Sequence, residues 1–147
     1  MSLRIVSFML ALGVLAACSA KDPEPSQAST HVSSSASRAV PDTEAGQRIY
    51  GGNCVPCHQE NGAGIPGVYP SLDGSPVVLG DPAALTRWVL KGQRPSSMPA
   101  GRYSTQMLQF GWMKPADAAA LFSYVRSSFG NSAPAIDAAT VAKALEE

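Results

Sequence analysis

The chain has 147 residues, of which 15% are charged, and its 11 Lys and Arg balance its 11 Asp and Glu. A net charge of zero leaves no polybasic surface, which argues against nucleic acid as a partner. At 45% hydrophobic residues, the length suits one modest domain and not several.

Residues 1–17, MSLRIVSFMLALGVLAA, place one positive charge at Arg4 ahead of an apolar run that ends in small residues. That is the pattern of a secretory signal peptide, and the run is short for a permanent membrane span. LAAC at 15–18 resembles a bacterial lipobox, which predicts lipidation of Cys18 as the mature N-terminus. Ser19, standing where aspartate would favour inner-membrane retention, leans toward the outer membrane. The expected location is the periplasm, lipid-anchored to a bacterial membrane. Loss of Arg4 with the leader leaves ten basic against eleven acidic residues, a net charge of −1. Residues 18–40 then comprise the lipidated cysteine and a Ser, Ala and Pro-rich stretch without hydrophobic periodicity, read as a flexible linker. Its 22 residues after Cys18 would span roughly 25 Å as a coil. His31 lies in this linker, with no neighbour to hold it as a ligand.

The globular part is residues 41–147, and four helices are predicted in it. The first covers about 42–54, started by Pro41, Asp42 and Thr43, with Gly46 and Tyr50 one turn apart on one face. The second, DPAALTRWVLKG at 81–92, has Asp81 as N-cap, Pro82 at the first helical position and Gly92 as its stop. Leu85, Trp88 and Val89 form its buried stripe. The third spans 114–130, with Leu121, Tyr124, Val125 and Ser128 on one face, and a short fourth runs from about Asp137 to Leu145. Loops are expected at 62–80 and 93–112. Loops of that length in a small domain need something to anchor them, and a central cofactor would serve.

GGNCVPCHQENGAG at 51–64 supplies the chemistry. Structural zinc requires four ligands, usually from two such pairs, and there is no second cysteine pair in the domain and only one histidine. A thioredoxin-type dithiol requires a βαβ setting, which a helical, loop-rich region lacks. C-x-x-C-H is instead the signature of covalent haem c attachment, with Cys54 and Cys57 adding to the two vinyl groups and His58 binding iron. With Cys18 assigned to lipid, no cysteine is left for a structural disulfide.

EAGQRIYGGNCVPCH resembles the opening of class I cytochromes c, and Gly46, Tyr50 and Cys54 match that family's spacing of glycine, aromatic and first cysteine. The resemblance implies an all-α fold of four or five helices around one covalently bound haem, and covers 41–147. In the family the glycine lets the first and last helices cross closely, while the aromatic packs on one from the last helix, here Tyr124. YPSLDG at 69–74 matches the family's P-x-L-x-G, so Pro70 is implied to accept a hydrogen bond from His58 through its backbone carbonyl, and Leu72 to pack on the ring.

For the sixth iron position the resemblance aligns MLQFGW with the family's M-P-x-F-G-W, which implies Met107 as ligand, with Leu108 replacing the proline. Met98, followed by Pro99, is the alternative, and Met113 is a third methionine in the domain. Arg87, Lys91, Arg94 and Arg102 cluster around the loop leading there, and Arg94 and Arg102 are candidate partners for haem propionates. The segment 64–92 resembles, more narrowly, haem domains from cytochrome subunits of periplasmic alcohol and sugar-acid dehydrogenases. The implied function is single-electron transfer between a dehydrogenase or respiratory complex and a terminal acceptor, without catalysis of its own. Two alternatives are a haem subunit of a larger dehydrogenase or oxidase complex, and an open-site haem enzyme or ligand sensor in which no methionine binds iron.

Overall fold

Asp42 opens the domain's first helix by accepting hydrogen bonds from the backbone N–H groups of Glu44 and Ala45 at 2.9 and 3.0 Å. The computed structural model describes residues 41–147; the leader, Cys18 and the linker with His31 lie outside the described residues. Six helices follow in order: α1 (Thr43–Asn53), α2 (Val55–His58), α3 (Pro76–Leu79), α4 (Pro82–Lys91), α5 (Pro115–Ser127) and α6 (Ala138–Glu146). Among the described residues extended pairing is limited to one bridge, Ile65 with Tyr69. The domain is all-α.

The four predicted helices are α1, α4, α5 and α6. On α4 the Asp81 carboxylate accepts from Ala83 and Ala84, and Gly92 ends the helix in the left-handed region at φ 71°. The α5 helix stops at Ser127, short of the expected residue 130, because Phe129 takes φ 61° and a turn from Ser128 to Asn131 replaces the helical bonds. The two additional helices, α2 and α3, are single turns, too short to show a hydrophobic period.

α1 crosses α5, α3 packs on α4 and α5, and α6 lies against α4 and α5. Gly46 is where α1 and α5 meet. A Cβ there would overlap the Ala120 carbonyl and come within 2.7 Å of the Tyr124 Cβ. Tyr50 then stacks at 5.6 Å from Tyr124 and 5.0 Å from Phe129, closing a three-ring cluster. Leu85, Trp88 and Val89 are all buried, as their stripe predicts.

The segment 62–75, ahead of α3, is irregular but tightly tied. Ile65 and Tyr69 exchange backbone hydrogen bonds, and the Leu72 N–H donates to the Gly62 carbonyl at 2.8 Å. Asn131, far along the chain, donates to the Leu72 and Val125 carbonyls and accepts from the Gly74 N–H. That one buried amide fastens the loop to the end of α5.

Candidate functional site

Three sequence neighbours become one face. Cys54 closes α1 and caps α2, and the single turn Val55–His58 puts Cys54, Cys57 and His58 at i, i+3 and i+4. The turn is held by the His58 N–H donating to the Cys54 carbonyl at 2.8 Å, and Gln59, at φ 65°, ends it. Tyr50 secures the exit by donating its phenol hydrogen to the Gln59 carbonyl at 2.6 Å. Burial raises the Tyr50 phenol far above its ordinary pKa, with Cys54 and Tyr124 adding to the effect, so it stays a donor.

His58 is buried, and its Nδ1 lies 3.0 Å from the Pro70 carbonyl. A carbonyl only accepts, so Nδ1 carries the hydrogen and Nε2 keeps its lone pair. Burial lowers the imidazole pKa, opposed in part by the Pro70 bond, which favours the neutral, ligating form. Cys54 and Cys57 form no disulfide with each other. Burial pushes the Cys54 thiol up to about 11, with Cys57 adding to the shift. A thiol so raised is protonated at neutral pH, the opposite of the low-pKa thiolate of a disulfide oxidoreductase. Among the described residues no three His, Cys, Asp or Glu side chains gather as a metal cluster.

His58 faces a cleft of about 260 Å³ and an adjoining cavity of about 70 Å³, both bordered by Cys54, His58, Pro70, Trp88, Met98 and Met107. The cavity walls are largely aliphatic and aromatic: Leu72 from the 62–75 loop, Val77 and Val78 from α3, Leu85 and Val89 from α4, and Leu121, Phe122 and Val125 from α5. Cys57, Arg94 and Tyr103 border the cleft. A flat apolar ring with two thiol attachment points, a nitrogen ligand and a thioether suits these walls and donors, and haem c is such a group.

Both candidate methionines thus border the site, while Met113 is 4% exposed in the core and lines neither space. Met107 is bracketed by two long-range tethers, Ser104 N–H to the Gly67 carbonyl and Phe110 N–H to the Val89 carbonyl. Met98 has only a local turn bond to Pro95. Of the arginines, Arg94 borders the cleft with its guanidinium 5.0 Å from the Trp88 ring centre, whereas Arg102 lies over Tyr103 at 5.9 Å. Arg87 and Lys91 turn away to α6, pairing with Glu147 and the Leu145 carbonyl.

The α3 wall and Arg126 escaped the sequence reading. Arg126 is 4% exposed and donates to the Val78, Gly80 and Pro134 carbonyls. No local pattern marks a residue whose partners lie 46 and 48 positions away.

A family model for cytochrome c matches residues 43–129, more than half of the chain. The chain belongs to the cytochrome c family. It is therefore a haem c protein, with Cys54 and Cys57 at the attachment positions. The cytochrome is 30% identical over 92 residues to the cytochrome c subunit of a quinone-type alcohol dehydrogenase from Gluconobacter oxydans, covering 61% of this chain and 19% of that one. Against the gluconate 2-dehydrogenase cytochrome c subunit of Pantoea cypripedii it is 28% identical over 97 residues, 64% and 22% of the two chains. Against cytochrome c-552 of Thermus thermophilus it is 30% identical over 92 residues, 59% and 70%. The matched part thus spans about a fifth of the two dehydrogenase subunits.

Proposed function

We propose that this cytochrome is a mono-haem carrier of single electrons, facing the periplasm and tethered to a membrane by lipid on Cys18. The observation that carries the reading is His58: its Nδ1 is committed to the Pro70 carbonyl, which leaves Nε2 for a ligand, and the residue borders the same space as two thioethers. When bound, haem supplies a one-electron ferric–ferrous couple. Cys54 and Cys57 would hold it through thioethers, and His58 would supply an imidazole ligand to iron. Met107 would supply the thioether ligand, favoured over Met98 by the tethers on both sides of it. A thioether opposite an imidazole stabilises the reduced state and raises the potential. Trp88, Leu85 and Leu121 keep water from the ring. Arg94 is better placed than Arg102 to face a propionate, because it borders the cleft.

The first test is visible spectroscopy of the haem-loaded protein and of Met107→Ala. The wild type is expected to show the weak far-red ferric band of iron–thioether bonding and to ignore carbon monoxide when reduced. Met107→Ala is expected to lose the band and bind carbon monoxide. Retention of the band in the variant would move the ligand to Met98. A wild type without the band that binds carbon monoxide readily would replace the carrier with an open-site enzyme or sensor.

A second reading, a haem subunit within a larger complex, is favoured by the two relatives named as dehydrogenase subunits. Size-exclusion of detergent-extracted native protein, followed by haem absorbance, separates the two. Elution at the size of the lone chain supports the carrier, and co-elution with dehydrogenase activity supports the subunit.

A further inference from the structure

Arg126 is the only Lys or Arg among the described residues that is buried. Its Nε donates to the Pro134 carbonyl at 2.8 Å, and Nη1 donates to the carbonyls of Val78 at 2.6 Å and Gly80 at 3.0 Å. The ion pairs among the described residues are Arg48–Asp42 and Arg87–Glu147, so no carboxylate of the described residues lies within 4.0 Å to neutralise it. Burial pulls its pKa down, yet a guanidinium remains charged at any physiological pH.

Its position matters as much as its burial. The Val78 side chain, whose backbone holds the guanidinium, lines the haem cavity. So do Val125, next to Arg126 in α5, and Phe122, one turn earlier. A full positive charge therefore stands just behind the apolar wall of the site, held by carbonyl dipoles alone. Joining carbonyls requires only donors, which a neutral side chain supplies without the cost of burying a charge. The charge itself is what the joining role leaves unexplained.

We propose that Arg126 sets the haem potential, its fixed positive charge biasing the iron couple toward the ferrous state. The inference rests on the chain's being a haem c electron carrier. Removing an electron adds one positive charge at the iron, and a fixed cation behind a low-dielectric wall opposes that step. Arg126 exchanges no electron; donor and acceptor are the redox partner proteins. For a unit charge roughly one helix diameter away, at an effective dielectric of about 20, the ferric-to-ferrous ratio shifts about tenfold. For a one-electron couple, tenfold is about 59 mV.

The experiment is redox titration of the haem-loaded wild type, Arg126→Lys, Arg126→Gln and Arg126→Met, each also examined for the far-red ferric band. The two neutral variants are expected to fall by about 59 mV with the band intact, while Arg126→Lys stays within about threefold of the wild-type ratio. Added salt is expected to leave the wild-type potential nearly unchanged, since a buried charge is weakly screened. Neutral variants that match the wild type overturn the proposal and leave Arg126 as a clasp between α3 and α5. A lysine variant that falls as far as the neutral ones also overturns it, because loosened packing and not charge would then be the cause. Should the neutral variants fail to retain haem, Arg126→Lys decides: a ratio within threefold of wild type supports the proposal and a larger fall overturns it. Failure of the carrier reading looks different, as a wild type that lacks the band and binds carbon monoxide.

Discussion

A missing side chain at Gly46 sets how closely α1 and α5 approach, and through them where Cys54 and His58 meet the walls that α5 contributes. Alanine there would meet backbone at Ala120 and the Tyr124 Cβ at 2.7 Å, and neither belongs to the far end of a flexible side chain. Overpacking of that kind costs roughly 1–3 kcal/mol. Gly51, on the same helix, has nothing within 4 Å of an added Cβ, so Gly51→Ala gains roughly 0.5–1 kcal/mol from helix propensity. Urea unfolding of the haem-loaded pair is expected to move the two midpoints in opposite directions. Equal midpoints would mean that α1 slides to accommodate the methyl and that the crossing is not fixed at this residue. The spacing of Gly46, Tyr50 and Cys54 made this contact legible in the sequence. Phe129 as the third ring was not, because its placement depends on a left-handed backbone outside any helix.

At the scale of elements, what was legible is what has local chemistry. Asp42, Asp81 and Asp137 each cap a helix with a side-chain oxygen, and all three starts could be read. The one-turn helices α2 and α3 have no period to read, and the 62–75 loop owes its order to Asn131, more than 50 residues away. The last helix, α6, lies beyond the part of the chain matched by the family model. Two of the contacts that fasten it are of unequal worth. Val141 and Ala144 are buried, whereas the Arg87–Glu147 pair has side chains 24% and 54% exposed. Val141→Ala removes two fully buried methyl carbons and should cost roughly 1–3 kcal/mol. Glu147→Ala removes a solvent-screened pair and should cost less than about 1 kcal/mol. Chemical denaturation of the two variants checks the order; a larger loss for Glu147→Ala would mean that the ion pair, not the apolar face, holds α6 against α4.

The whole molecule is built around a space it does not fill with its own side chains. Helices α1 to α5 and both irregular segments send residues to the rim of one site, so the long loops predicted at 62–80 and 93–112 are its walls. Left unfilled, the largely apolar walls of this space lack the packing contacts that a filled core supplies. A domain of this size has a total stability of only about 5–15 kcal/mol. Haem, which would supply those contacts, is on this argument a structural component as well as the redox centre. The double variant Cys54→Ser/Cys57→Ser, which cannot attach haem, is accordingly expected to lose its cooperative thermal transition and its near-ultraviolet circular dichroism while keeping part of its helix signal. The haem-loaded protein should melt in a single sharp step. A sharp transition in the double variant would require the walls to close on one another, with α3 and the Met107 loop moving into the vacated volume. In that case haem would tune a domain that can fold without it, instead of completing one that cannot.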